Sequence, residues 1–405
     1  MNRNGKTVKM ELNNLGPSSG GIMPKTQMPK RPKSYDKKVA LVLQGGGALG
    51  SYQAGVYEAL SRSEYLPDWV CGISIGAINA SIIAGNAPEH RVEKLKLFWD
   101  EVTEPTAHWP TLPGDRISDM HRQGSALNAL IFGQPGFFAP HKPHTWAGTP
   151  PTSYYATSAL KSTLEKLVDF DRINAREIRF AVGAVNVRTG WFSFFDNADI
   201  KIRPEHVMAS GALPPGFPAV EIDGEHYWDG GLVSNTPLQY VTEYVPRRSR
   251  LIFQVDLFPS LGALPQSLEE VSERDKDIRY SSRTRAGTEV FRCMHDVRHN
   301  INTLWDKLPQ ALRDTPEGRF LYNFGCVTTF DIAQLVYRPA QPQGSVKDFE
   351  FSRATAKARW AQGLQDANET LRASPWLAPM PREVGARVFD VMQDLRGDAQ
   401  HKPAI

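Results

Sequence analysis

The chain has 405 residues, of which 41% are hydrophobic and 22% charged, with a net charge of +3. That is ordinary for a globular enzyme, long enough for a substantial core, and too weakly basic to argue for nucleic acid. Three widely separated cysteines, Cys71, Cys293 and Cys326, supply neither a disulfide framework nor a C-x-x-C metal pair, and they favour a reducing, cytoplasmic setting.

Residues 1–37 are rich in Lys, Asn, Gly, Pro and Met, lack the apolar core of a signal peptide, and read as a disordered polar tail. No stretch approaches the ~20 apolar residues of a membrane span, so contact with a lipid surface would be peripheral. From 38 to 260, short β-like runs alternate with helical segments, which predicts an α/β domain. Lys38–Gln44 reads as a buried strand, and Ala48, Leu49, Tyr52, Val56 and Leu60 as one face of the helix after it. Trp69–Ser74 is a second strand, followed by a small, apolar helix from Ala77 to about Ala84. Residues 104–153 carry many Pro, Gly, His and Trp and read as an irregular excursion. Phe180–Val187 and Trp191–Phe195 flank a hairpin turn, Arg188-Thr189-Gly190, and Arg250–Phe258 is another strand-like run.

Residues 261–405 read as a mainly helical extension packed on that domain. Val290, Met294, Val297, Ile301, Leu304 and Leu308 fall at three- and four-residue spacing, which predicts an amphipathic helix with this stripe buried. One further strand is expected at Phe330–Tyr337, and helical stretches around 351–372 and 382–395.

Two glycine-rich turns interrupt the first part. The first, QGGGALG at 44–50, fits G-x-G-x-x-G as Gly45, Gly47 and Gly50. A dinucleotide site would need an acid at the end of the second strand, about 20 residues on. Asp68 precedes that strand instead, and GISIG, residues 72–76, stands at its end. This is G-x-S-x-G on a strand-to-helix turn, a nucleophile elbow. Gly72 and Gly76 let the chain bend, and Ser74 falls at a helix start, where the dipole favours a developing alkoxide. Both turns lie at the same edge of the sheet, so the loop of Gly45, Gly46 and Gly47 offers backbone N–H groups beside the serine, as an oxyanion hole.

Further on, HYWDGGLVSNTPL at 226–238 places Asp229 before Gly230 and Gly231. The GGGALG loop, the GISIG elbow, the ASGALPPGFPAV block at 209–220 and this DGG resemble, in order, the motifs of the patatin-like phospholipases. The resemblance covers about residues 38–260. It implies a three-layer α/β/α sheet and a serine lipolytic acyl hydrolase that needs no metal or cofactor. It implies a Ser74–Asp229 dyad without histidine, in which Asp229 takes the serine proton directly. A dry pocket would have to raise the carboxylate's proton affinity for that. Relatives usually carry Arg or Lys where this chain has Leu49, which bears on recognition of an anionic head group.

Three alternatives stand beside this reading. HDVRH at 295–299 puts His295 and His299 one helical turn apart, as in a zinc helix, but no third ligand is evident and a solvated or helix-pairing role is expected. Either histidine would instead serve a conventional Ser-His-Asp triad. The scaffold would also suit a non-catalytic nucleotide- or partner-binding module. The aromatic stretch FGQPGFFAPHKPH, 132–144, reads as a loop folded onto its own core, or as a segment that dips into a lipid surface or lines an acyl pocket.

Overall fold

A computed structural model describes residues 30–104, 124–127, 129–141 and 151–397. Most of the expected tail, and most of the excursion at 104–153, lie outside the described residues. Tyr35 and Lys37, at the tail's end, bond the buried carboxylate of Asp331 at 2.9 and 2.7 Å.

The fold is a mixed sheet between helical layers. β1 (Lys38–Leu43) runs parallel to β2 (Trp69–Gly72), and the chain between them forms α1 (Ser51–Ser61). α2 (Ile75–Ala84) and α3 (Arg91–Val102) follow, and a small ribbon pairs β3 (Ala139–Pro140) with β4 (Tyr155–Ala156). Beyond come β5 (Arg179–Asn186), β6 (Phe192–Asp196), the helix α4 (Pro204–Ser210), β7 (Val220–Ile222), β8 (Glu225–Asp229) and β9 (Arg250–Asp256). The C-terminal part supplies the long helix α5 (Leu268–Trp305), β10 (Phe330–Val336), the helix α6 (Arg353–Ala373) and β11 (Ala386–Phe389). The strand order is β11-β10-β9-β1-β2-β5-β8-β7, with β6 also on β5.

β1 shows why both faces are covered. Val39, Leu41 and Leu43 belong to one apolar cluster, with α1 and α2, while Ala40 and Val42 belong to a second on the opposite face. A strand buried on both sides reads as a continuous apolar run, as KVALVL does. α6 lies over α1 at very close range. A side chain at Gly55 would strike the carbonyl of Trp360, and one at Gly363 that of Tyr52, so the two backbones meet through glycine.

Two expectations differ from the structure. The stripe on α5 faces outward, with Val290 65% and Val297 51% exposed, and the buried side carries Thr288, Phe291 and His295. The sheet-facing side is set one residue away because Phe291 and His295 pack edge-to-face against Phe330 of β10. The stretch 382–395 forms β11 and a short helix, Val391–Leu395. Its Gly385-Ala386-Arg387-Val388 segment adds to the edge of β10 in parallel register.

Candidate active site

Ser74 stands between the end of β2 and the start of α2, at φ 56° and ψ −124°. Positive φ is costly for a residue with a side chain and persists only where the surroundings fix it. Its amide donates to the carbonyl and the hydroxyl of Ser210, both at 3.1 Å. The flanking glycines are required by space. A Cβ at Gly72 would collide with the carbonyl of Gly76, and one at Gly76 with that of Leu43.

Sheet register brings Asp229 to the same place. β2 pairs with β5 as far as Gly72↔Val182, and β6 occupies the other edge of β5. Where β2 leaves the sheet to form the elbow, β8 takes over its edge, with Asp229 opposite Ala184. Asp229 is 2% exposed and its Oδ1 accepts from the Gly231 amide at 2.7 Å. Burial pushes its pKa up to about 7, although the Gly231 hydrogen bond and the nearby Ser74 side chain act the other way.

The glycine loop completes this end of the sheet. Gly45, Gly46, Gly47, Ser74, Asp229 and Gly231 line a single pocket. The Gly45 amide donates to the carbonyl of Asn235 at 3.1 Å, and Asn235 Nδ2 donates back to Gly45 O at 2.9 Å. Among the described residues, the amides of Gly46 and Gly47 have no hydrogen-bond partner. They sit at the start of a 3₁₀ turn, Gly47–Gly50, where the first N–H groups are free by construction. Asn235 clamps the glycine loop to the segment after Asp229, and sequence reading missed it. Its sole mark is an offset from DGG, with no chemistry of its own.

Two sequence-family models match the chain, one described as patatin-like phospholipase over residues 41–242, the other as patatin phospholipase over 278–383. The chain belongs to the patatin-like phospholipase family. It is accordingly a hydrolase of carboxylic ester bonds. Among solved structures it is similar to VipD from Legionella pneumophila, at 13% identity over 92% of this chain and 77% of that one, with a TM-score of 0.32. It is also similar to the heterodimeric ExoU–SpcU complex of the type III secretion system of Pseudomonas aeruginosa, at 19% identity and a TM-score of 0.26. That match covers 65% of this chain, which spans about half (52%) of the other. No curated protein matches the chain.

The pocket of this patatin-like protein is walled by apolar side chains. Phe137, Phe138, Phe217 and Phe351 meet one another at ring-centroid distances of 5.2–6.4 Å. Phe137 and Phe138, from the 132–144 stretch, therefore face the same space as Ser74. Phe258 stacks on Tyr280 of α5 on another side. Leu49 is fully buried in the core and brings no charge to the pocket.

The histidines have other partners. His295 Nε2 donates to the Thr328 carbonyl at 2.8 Å and His299 Nε2 to that of Arg382 at 3.0 Å. Asp296, between them, accepts from the amides of Gly385 and Ala386. The motif thus ties α5 to β11, and neither histidine lines the Ser74 pocket. Among the described residues no group of three acidic, His or Cys side chains is placed to hold a metal ion. Asp68 pairs with Arg250 at 2.8 Å, before the N-terminal end of β2 and away from the glycine loop.

Proposed function

We propose that this protein hydrolyses fatty acyl esters, with Ser74 as nucleophile, Asp229 as its base and the Gly46 and Gly47 amides as oxyanion donors. Ser74 Oγ attacks the ester carbonyl and its proton passes to Asp229. The carbonyl oxygen, now negative, lies against the two free amides. Collapse of the tetrahedral species expels the alcohol, which takes the proton from Asp229 and leaves acyl-Ser74. Water, deprotonated by Asp229, then releases the fatty acid and restores the serine.

The observation that carries this reading is the shared pocket of Ser74, Asp229 and the glycine loop, with the serine side chain near enough to the buried carboxyl to lower its proton affinity. A carboxylate with a pKa near 7 is a far better acceptor for a serine proton than an exposed one. Gly45, whose amide is committed to Asn235, contributes by close approach instead: a Cβ there would stand 3.0 Å from that of Ser74. The phenylalanine wall suits an acyl chain. Among the described residues no helix is long and apolar enough to cross a membrane. The reading is of a cytoplasmic enzyme, as its sparse, unpaired cysteines suggest, that meets its lipid at a surface.

The test is a series of p-nitrophenyl esters of rising chain length, run beside phospholipid vesicles, on wild type, Ser74→Ala and Asp229→Asn. Hydrolysis by wild type, lost in both folded variants by several orders of magnitude, is expected. Retention of most activity by either variant overturns the dyad.

A further inference from the structure

Asp348, Phe349 and Phe351 reach the Ser74 pocket from a strap far along the chain, residues 343–351. Buried charges hold that strap. The Lys347 ammonium, fully enclosed, donates to Glu273 at 3.1 Å and Asp277 at 2.6 Å, both on α5. Lys276 pairs with Asp348 at 2.7 Å.

Arg359 of α6 is 1% exposed and spends its guanidinium largely on backbone. Its Nη1 donates to the carbonyls of Ala48, in the glycine loop, and Glu350, at 3.1 and 3.0 Å. Its Nη2 donates to the Lys347 carbonyl at 3.0 Å and the Gln343 side chain at 3.1 Å. The nearest carboxylate, Glu350, is 3.8 Å away. A buried cation is costly unless its donors are satisfied, and apolar residues fill such a space more cheaply. What this one gains is a rigid fork joining two segments that both face Ser74.

We propose that Arg359 is a positioning residue for the oxyanion hole, an inference that rests on the Ser74–Asp229 reading above. By holding Ala48 O within the 3₁₀ turn, and the strap carbonyls beside it, the guanidinium fixes the turn whose leading amides are Gly46 and Gly47. The Leu49 amide bonds Gly46 O at 3.1 Å, so the turn moves as one piece. Arg359 touches no substrate. It acts through the loop, and through the backbone of Asp348 packed against Gly47. A lysine keeps the charge but presents a single point, not a fork that spans four acceptors.

The experiment compares wild type, Arg359→Lys, Arg359→Met and Gln343→Met on a short-chain p-nitrophenyl ester. Folding is followed by circular dichroism, and inactivation by a fluorophosphonate runs in parallel. A misplaced oxyanion hole costs turnover and not ground-state binding. Both Arg359 variants should therefore lose on the order of 10- to 100-fold in kcat, with KM within about threefold, and slow phosphonate inactivation alike. Gln343→Met, which removes one acceptor and leaves the charge, should lose about three- to tenfold in kcat. A folded Arg359 variant with wild-type kcat and inactivation rate overturns the inference. If neither Arg359 variant folds, wild-type kcat in Gln343→Met overturns it. A folded wild type that neither turns over ester nor reacts with phosphonate would sink the underlying reading instead, which keeps the two failures apart.

Discussion

The carbonyl oxygen of Asp348 occupies the space in which any side chain at Gly47 would stand. Gly47 is also at φ +55°, a conformation that L side chains rarely adopt. Gly47→Ala is therefore strained twice, and the loop or the strap has to move. We expect kcat to fall by ~10²–10³, the usual effect of losing one oxyanion donor, together with a lower Tm. Steady-state kinetics on a short-chain ester and a thermal melt check both.

Asp229 makes a pH signature. With its pKa pushed up to about 7, the carboxyl becomes a usable base only as pH rises, so kcat/KM should climb from pH 5 to about 8. Stability moves in the opposite sense. The folded protein holds this proton above the ordinary carboxylate range, so it binds more protons than the unfolded chain between pH ~4 and ~7, and stability falls across that window. Asp229→Asn removes the effect. Its stability should exceed that of wild type at pH 8 by a few kcal/mol at most (~1.4 kcal/mol per tenfold change in proton affinity) and approach it at pH 4. Asp256, also near 7 through burial, titrates in both proteins and cancels in the difference.

His295 and His299 separate structural from chemical roles. His295→Ala leaves the Thr328 carbonyl without its donor beside a buried void, at a cost of about 1–3 kcal/mol. Turnover of the folded protein should stay within about twofold of wild type, since neither histidine faces Ser74. His299→Ala should be milder still. A folded but inactive variant at either position would restore a triad mechanism.

Phe138 offers a test of the acyl wall. It packs on Tyr155 at 5.0 Å and on Phe217 at 5.2 Å while lining the pocket. Phe138→Ala opens space there, at ~3–5 kcal/mol of stability. The ratio of long- to short-chain ester turnover should rise severalfold, as measured across a C4–C12 ester series. An unchanged ratio would place the acyl chain elsewhere.

The glycine turns were legible because glycine records backbone geometry directly. Gly72, Gly76 and Gly47 are where main chain meets main chain, and no side chain could stand in for them. The strands Lys38–Leu43 and Arg179–Asn186 were legible from apolar runs. Periodicity on α5 gave the right helix and the wrong buried side, because a repeat fixes the angle of a stripe and not which neighbour it meets. Asn235 and Arg359 were invisible for a related reason. Each works by bonding a carbonyl far away in sequence, 190 positions for Asn235 and 311 for Arg359, and nothing local to either residue announces that partner.

The most direct measurement is reaction of the folded wild type with a fluorophosphonate, followed by mass mapping of the adduct. Activation of Ser74 by Asp229 beside the free Gly46 and Gly47 amides predicts one adduct, on the peptide containing Ser74. It should be absent from Ser74→Ala and slowed by orders of magnitude in Asp229→Asn. An adduct on another serine, equal labelling of Ser74→Ala, or no labelling of the folded wild type would contradict the account.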